Sequence, residues 1–213
     1  MKGNSDIQAA VFDLGGVIID VSVGAIPRHW ARALGASTEE IIDPFRQDTR
    51  YQMMERGQMD IYEYYAYALE LIGRPLAFED FLEGWNSLLK EPIPGIDLLL
   101  ARLASHLRLV VLTNTNAAHD AVWRPRLTDA LRHFERIFVS YEMGVRKPEP
   151  DCYRHVLDYL GLDPRTVVMI DDSPENLRTA RSLGMKTILA DGADQIAHEL
   201  GRLGVPSLGD LVG

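Results

Sequence analysis

The segment Thr-Val-Val-Met-Ile-Asp-Asp-Ser-Pro at residues 166–174 carries the pattern that decides the fold, an apolar run that ends abruptly in two carboxylates. Short β-branched runs of this kind are typical of strands buried in a parallel sheet. Further runs with the same character lie at 9–12, 107–112, 136–140 and 186–190. We therefore predict that these segments form the strands of one sheet.

Helical patterns separate the later predicted strands. They lie at 96–106, about 117–133, 150–160 and 174–183. Regular alternation of strands and helices predicts a parallel sheet with helices on both of its faces. The predicted fold class is therefore α/β, with a doubly wound parallel sheet of the Rossmann-like type.

The sequence between the first and second predicted strands has a different character. Aromatic, Met and Leu residues recur there at helical spacing, and no run resembles a strand. Glycines and a Pro-rich stretch at 92–95 punctuate the segment, which predicts a bundle of about four helices. We therefore predict a core formed by residues 1–20 and 94–213 and a helical domain at residues 21–93, inserted after the first strand.

Composition restricts the partners of this protein. The 213 residues carry a formal net charge of -9 at pH 7 and no long basic run, so binding to nucleic acid or to an anionic membrane is not expected. A single cysteine, Cys152, excludes an intrachain disulfide and a multi-cysteine zinc site. Residues 1–8 are polar, and no apolar run approaches the roughly 20 residues of a membrane helix. We expect a cytoplasmic protein that acts on a small molecule.

Three carboxylates stand at the carboxyl ends of predicted strands, where ligands of parallel α/β sheets bind. Asp13 follows the run at 9–12, and Asp171 and Asp172 follow the run that begins at Thr166. Two adjacent carboxylates repel each other unless a cation neutralises them, and an oxygen-rich site suits Mg2+. The alternative for this pair is a simple turn that caps the following helix. The sequence predicts a metal site here, with Asp13 as nucleophile or ligand.

Other polar and glycine residues occupy neighbouring positions. Gly15 and Gly16 allow a sharp turn and a close approach of the backbone to a ligand. Thr113 and Asn114 supply a hydroxyl group and backbone amides that suit phosphate oxygens. Lys147 precedes a helix that begins with proline, which favours a fixed direction for its ammonium group. Each signal alone is weak, because turn residues and surface lysines are common.

The order of these residues resembles that of the four motifs of the haloacid dehalogenase superfamily. The motifs read Val-Phe-Asp-Leu-Gly-Gly-Val at 11–17, Leu-Thr-Asn at 112–114, Gly-Val-Arg-Lys-Pro at 144–148 and Ile-Asp-Asp-Ser-Pro-Glu-Asn at 170–176. The resemblance spans nearly the whole chain, and the predicted helical domain is similar to the cap of that family. Residues 112–116, His119, Trp123 and 144–148 resemble the branch that contains bacterial α-D-glucose-1-phosphate phosphatases. The resemblance implies a Mg2+-dependent phosphomonoesterase that acts on a small phosphorylated metabolite such as a sugar phosphate.

The resemblance also implies roles for the carboxylates. Asp13 is expected to attack phosphorus and to form an aspartyl-phosphate. Mg2+ is expected to bind the carboxylates of Asp13 and Asp172 and the backbone carbonyl of Gly15. Asp171 is expected to act through water or by orienting the groups around the metal.

The remaining motif residues are implied in binding the phosphoryl group. Thr113 and the backbone amide of Asn114 are expected to bind its oxygens, and Lys147 to neutralise its charge. The glycines at 15 and 16 are expected to let the substrate approach the backbone closely. The cap is expected to close over the organic group and to exclude water.

One position departs from the family pattern and keeps alternatives open. Many phosphatases of the superfamily have a second aspartate two residues after the nucleophile, where this chain has Gly15. A general acid and base is therefore missing, and Asp20 is one candidate to replace it. The alternatives are a 2-haloacid dehalogenase-like hydrolase, which needs no metal, and a weakly catalytic metal- and ligand-binding regulatory protein.

Several residues outside the motifs are candidates for substrate contacts, although each such residue type is more often solvated or packed. They are Arg46, Arg50, His119, Trp123, Arg124 and Arg126.

Overall fold

A parallel sheet of five strands lies at the centre of the computed structural model, which describes residues 6–41 and 48–205. The strands are β1 (Ala9–Phe12), β2 (Ile19–Val21), β3 (Leu89–Pro92), β4 (Arg108–Thr113), β5 (Arg136–Val139), β6 (Val167–Asp171) and β7 (Lys186–Leu189). The sheet has the order β5-β4-β1-β6-β7. β1 lies in the middle, and its last residue, Phe12, pairs with Val111 of β4 and with Ile170 of β6.

Helices connect and cover the strands. They are α1 (Ala25–Ala33), α2 (Thr49–Glu55), α3 (Ile61–Ile72), α4 (Phe78–Asn86), α5 (Ile96–Leu103), α6 (Ala117–Arg126), α7 (Thr128–Leu131), α8 (Ser140–Met143), α9 (Pro150–Leu160), α10 (Pro174–Ser182) and α11 (Ala193–Arg202). Single turns of 3-10 helix occur at Thr38–Glu40 and Pro164–Thr166. Among the described helices, none combines the length and the apolar character that a membrane crossing requires.

Both faces of the sheet are buried, because alternate side chains of a strand point to opposite faces. Ala10 and Phe12 of β1 pack in an apolar cluster with α5 and α11. Ala9 and Val11 pack in a second cluster with α9 and α10. Burial on both sides explains why the strands read as continuous apolar runs. The predicted α/β class with a doubly wound parallel sheet is confirmed.

The predicted strands agree with the observed ones to within a residue at each end. The helical pattern at 117–133 is two helices, α6 and α7, because Leu127 leaves the helical conformation with φ -103° and ψ 17°. The sequence did not predict α8, which is a single turn after β5, or α11, which follows the last strand of the alternating pattern.

The segment between β1 and α5 contains two short strands that the sequence analysis did not predict. β2 and β3 pair antiparallel, with Val21 opposite Leu89. The expectation of an insertion without strands was therefore wrong, because runs of three and four residues are too short to display alternation. Helices α1 to α4 lie between these two strands, and we call this part of the chain the helical insertion.

Aromatic side chains form the core of the helical insertion. Trp30 of α1 stacks on Phe81 of α4 with a centroid distance of 5.0 Å, and its indole nitrogen donates a hydrogen bond to the Phe81 carbonyl. Tyr64 of α3 and Trp85 of α4 are fully buried, with their centroids 4.7 Å apart. Gly84 makes this packing possible, because a Cβ atom there would lie 2.3 Å from the Trp30 indole nitrogen.

Gly84→Ala should therefore displace Trp30, break its hydrogen bond and lower the free energy of unfolding by about 1–3 kcal/mol. Gly201→Ala is the matched control, because Gly201 is also helical and a Cβ atom there would meet nothing within 4 Å. The control should be neutral or stabilised by up to about 1 kcal/mol. Urea unfolding measures both values, and equal stability of the two variants would contradict the packing argument.

Candidate active site

The carboxyl ends of three neighbouring strands bring the predicted site residues together. Asp13 follows β1, the central strand, and its backbone amide donates a 2.9 Å hydrogen bond to the Ile170 carbonyl of β6. Asp171 ends β6 and Asp172 follows it, while Thr113 ends β4 on the other side of β1. Carboxylate oxygens of Asp13, Asp171 and Asp172 all lie within 4.8 Å of one another.

Lys147 lies between two of these carboxylates. Its ammonium nitrogen is 2.8 Å from Asp13 Oδ2 and 2.6 Å from Asp171 Oδ2, and the residue is only 1% exposed. The side chain of Asn114 holds the Lys147 backbone, since its amide donates to the Lys147 carbonyl and its oxygen accepts from the Lys147 amide. Asn114 directly follows β4, and its side chain therefore fixes the backbone of Lys147 relative to that strand.

Asp171 and Asp172 have different surroundings although they are adjacent. Asp171 is fully buried and accepts hydrogen bonds from the Ser173 amide and from the Asn176 side chain, in addition to Lys147. Asp172 is exposed, and a Cβ atom at Gly16 would lie 2.3 Å from its Oδ2. Gly16 has φ +72°, so both its backbone conformation and the nearby carboxylate favour glycine.

The charges of this cluster are not balanced by protein groups alone. Burial raises the pKa of Asp13 to about 7, although Lys147 opposes the shift. Burial would lower the pKa of Lys147, but Asp13 and Asp171 raise it above its usual value. Partial desolvation of its carboxyl group, followed by the charge of Asp171, also raises the pKa of Asp172. Three carboxylates around one ammonium group form an oxygen-rich, negatively charged set that fits Mg2+.

Position 15 has no carboxyl group, and an apolar side chain lies beside it. A Cβ atom at Gly15 would be 3.3 Å from Val21 Cγ1. Asp20, the preceding residue of β2, is exposed and does not line the cavity that Gly15 lines. Neighbouring residues of a strand point in opposite directions, so the placement of Val21 turns Asp20 away. The structure therefore does not bring Asp20 to the position of the missing aspartate.

A cavity of about 290 Å³ lies between the site and the helical insertion. Motif residues line one part of it and apolar side chains line another. The lining includes Gly15, Thr113, Asn114, Asp172, Val21, Val23, Tyr51, Leu88, Leu89, His119 and Trp123. The cavity therefore presents both polar motif groups and apolar side chains.

His119 is held by the fold and is uncharged. Its Nδ1 atom is 3.0 Å from the Asn116 side-chain nitrogen, its Nε2 atom is 3.2 Å from the Trp85 carbonyl, and its ring stacks on the Trp85 ring. Burial lowers its pKa to about 4, although the Trp85 carbonyl opposes the shift. His119 therefore contributes a neutral wall to the cavity, as does Trp123, whose indole nitrogen donates to Thr115.

The other suggested substrate contacts lie elsewhere. Arg124 pairs with Asp120, and Arg126 donates to backbone carbonyls of β3. Arg50 stacks over the Tyr67 ring, and Arg46 lies outside the described residues.

Two residues that support the site, Ser140 and Asn176, were given no role in the sequence analysis. Ser140 is fully buried after β5, and its hydroxyl oxygen is 3.0 Å from both the amide nitrogen and the carbonyl oxygen of Thr115, which fixes the loop after β4. Asn176 lies in the first turn of α10 and donates to Asp171. A rule that treats every polar residue at a strand end as a candidate would have found Ser140, because it directly follows β5.

Lys147→Met should lower the free energy of unfolding by about 3–5 kcal/mol at pH 8, because it leaves buried carboxylates without their cation. The loss should be smaller at pH 5.5. Removing the ammonium raises the pKa of Asp13 further above its unfolded value, so the folded variant binds a proton that the unfolded chain releases, and stability falls as pH rises.

Urea unfolding in the presence of a chelator at the two pH values measures this difference. Lys186→Met, at an exposed lysine, is the control and should change little at either pH. An equal loss at both pH values would show that the carboxylates do not depend on Lys147.

Known proteins that are similar in sequence identify the family of this chain. A sequence model of the haloacid dehalogenase-like hydrolase family matches residues 7–184. D-ribitol-5-phosphate phosphatase of Bacteroides thetaiotaomicron is 24% identical over 195 residues, which cover 88% of this chain and 94% of that protein. Phosphorylated carbohydrates phosphatase of Thermotoga maritima is 25% identical over 194 residues, which cover 85% of this chain and 84% of that protein.

A solved structure of the same family is similar to this chain. It is a haloacid dehalogenase family enzyme from Bacteroides thetaiotaomicron, the wild-type protein in complex with magnesium and inorganic phosphate. The two chains are 28% identical with a TM-score of 0.72, and the match covers 87% of this chain and 94% of that chain. The family match spans all of the motifs, and this chain is therefore an enzyme that belongs to the haloacid dehalogenase-like hydrolase family.

Proposed function

We propose that this chain is a Mg2+-dependent phosphomonoesterase that acts on a small phosphorylated carbohydrate through a covalent phosphoryl group on Asp13. The observation that carries the proposal is the cluster of Asp13, Asp171 and Asp172, of which Asp13 and Asp171 pair with the Lys147 ammonium. The named activities of the two phosphatase relatives support a carbohydrate phosphate as substrate. We also propose the cytoplasm as its compartment, where a free thiol such as that of buried Cys152 is the usual state.

The donor set of the site fits a magnesium ion. We assign its binding to the carboxylates of Asp13 and Asp172 and to the Gly15 carbonyl. Asp171 is saturated by Lys147, Ser173 and Asn176, so we assign it to orienting the site rather than to direct binding. When bound, Mg2+ supplies positive charge that polarises the phosphoryl group and offsets repulsion between it and the carboxylates.

The protein residues divide the reaction into two displacements. A carboxylate oxygen of Asp13 forms a bond to phosphorus while the bond between phosphorus and the leaving oxygen breaks, and that oxygen then takes up a proton. Water next attacks the phosphoryl-Asp13, which restores the carboxylate and releases phosphate. Lys147, the Thr113 hydroxyl and the backbone amide of Asn114 bind the equatorial oxygens of the phosphoryl group and stabilise their charge in both steps.

We assign the role of a cap to the helical insertion, within the proposed boundaries of residues 21–93. The core of residues 1–20 and 94–213 contains every motif residue. Tyr51, Leu88 and Leu89 line the cavity beside the site and therefore face the organic part of a substrate. Partial exclusion of water from this cavity would strengthen the charge interactions between the site and the phosphoryl group, while one water molecule must still reach phosphoryl-Asp13 for the second displacement.

Asp13→Asn should lower kcat by about 10^4-fold or more, the scale seen when a catalytic nucleophile is removed. The amide cannot attack phosphorus, so the covalent phosphoryl group should be absent as well. Phosphate release from hexose and pentitol phosphates measures the rate, and mass spectrometry after acid quench detects the phosphoryl-enzyme. Activity within tenfold of the parent would exclude Asp13 as the nucleophile.

Asp172→Asn provides the comparison, because it should retain the nucleophile but weaken the metal site. The Mg2+ concentration for half-maximal rate should rise by about 10- to 100-fold. Unchanged metal dependence would show that Asp172 is not a ligand. Dehalogenation without metal is the competing activity, and chloride release from a 2-haloacid in the presence of a chelator tests it directly.

Because position 15 has no carboxyl group, protonation of the leaving group should limit the rate. A positioned general acid contributes about 10^2- to 10^4-fold, so an anomeric sugar 1-phosphate should react faster than the matching 6-phosphate. Gly15→Asp needs space that Val21 occupies, so the test combines it with Val21→Ala. The double variant should gain about tenfold or more on the 6-phosphate, whereas Val21→Ala alone should not. No gain in a folded, Mg2+-binding double variant would show that protonation of the leaving group is not limiting.

A further inference from the structure

A buried ion pair joins the helical insertion to the loop of the catalytic lysine. Glu55 is the last residue of α2, and Arg146 directly precedes Lys147. The Arg146 Nε atom lies 2.5 Å from Glu55 Oε2, and the two side chains are only 10% and 5% exposed. The pair therefore connects the proposed cap with the residue next to Lys147.

Glu55 also contacts the wall of the cavity. Tyr51 lies one helical turn earlier in α2, and its hydroxyl group forms a hydrogen bond with the Glu55 carboxylate. The Tyr51 side chain lines the cavity together with Gly15 and Asp172. One carboxylate thus holds both a cavity wall and the loop that carries Lys147.

A second, more exposed ion pair also joins the end of α2 to the loop that contains Lys147. Arg56, the residue after α2, pairs with Glu149, and both side chains are partly exposed. Gly57 packs tightly here, because a Cβ atom at Gly57 would lie 2.3 Å from the Tyr141 carbonyl oxygen. The end of α2 therefore docks on the 141–149 segment through several contacts, of which Glu55–Arg146 is the most buried.

Stability alone does not explain a charged pair at this position. Removing two charges from water is costly, and well-packed apolar residues often replace a buried ion pair without loss of stability. Burial raises the pKa of Glu55, although Arg146 opposes the shift. A pair of this kind specifies one arrangement of the groups that it joins, because any other arrangement leaves a buried charge without a partner.

We propose that Glu55 is a positioning residue that sets the placement of Lys147 when α2 is seated on the core. The proposal rests on the proposed phosphatase function. Asn114 holds the Lys147 backbone from β4, and Glu55 holds the preceding Arg146 from the helical insertion. The backbone at 146–147 carries the ammonium group that contacts both Asp13 and Asp171, so in this proposal docking of the insertion completes the site.

The test compares three variants with the parent. Glu55→Gln should lower kcat by about 10- to 100-fold with a smaller change in KM, since a displacement of about 1 Å at a catalytic group costs this much. Glu55→Met combined with Arg146→Met removes both charges and should recover the melting temperature that Glu55→Gln loses, while kcat stays low. Arg56→Gln breaks only the outer pair and should leave kcat within about twofold.

A purely structural role predicts a different result. In that case kcat would recover together with the melting temperature in the double variant, and this outcome overturns the proposal. An unchanged kcat in a folded Glu55→Gln variant overturns it as well.

Hydrogen–deuterium exchange provides a readout that does not depend on activity. Amides in the 144–149 segment should exchange faster in metal-free Glu55→Gln than in the parent, whereas Arg56→Gln should affect them less. If the parent hydrolyses none of the phosphate esters, the proposed function fails and exchange alone decides the role of Glu55. Unchanged exchange at 144–149 in Glu55→Gln would then overturn the proposal.

Discussion

The ammonium group of Lys147, buried between Asp13 and Asp171, is the interaction on which the rest of the site depends. A buried lysine is unfavourable unless carboxylates surround it, and buried carboxylates need a cation in return. Neighbouring parallel strands meet this requirement, because β1 and β6 deliver their terminal carboxylates to the same edge of the sheet. Asn114, after β4, then fixes the lysine backbone. The order of the strands in the sheet therefore brings the side chains of the candidate site together.

This arrangement also explains why the two aspartates at 171 and 172 are not equivalent. Asp171 accepts hydrogen bonds from Lys147, Ser173 and Asn176, which is why we propose for it an orienting role. Asp172 lies in the cavity against Gly16, where its charge adds to that of Asp13. One ammonium group does not balance three carboxylates, and the excess negative charge is what a divalent ion would neutralise. The proposed metal site and the placement of Lys147 therefore belong to one electrostatic arrangement.

The sequence predicted the features that depend on local pattern. The strands β1 and β6 were recognisable because both of their faces are buried, which makes their apolar runs continuous. Asp13 and Asp171 were identified because they stand where these runs end. β2 and β3 were missed because runs this short carry no period. Val21 beside Gly15 could not be predicted without the direction of β2. The Glu55–Arg146 pair joins residues 91 positions apart, and charged residues of this type are usually exposed.

Arg146 and Lys147 are successive residues of one loop, and both have buried, positively charged side chains. Carboxylates from different parts of the chain pair with them. Lys147 is bound by the core, and Arg146 is bound by Glu55 of the helical insertion. Because the two residues share a peptide bond, a shift that separates Arg146 from Glu55 moves the backbone on which Lys147 is mounted. A movement of the insertion away from the core would thus disturb the ammonium group before any core strand moved. In the proposed mechanism, the placement of Lys147 beside Asp13 is therefore coupled to the seating of α2 through a single peptide unit.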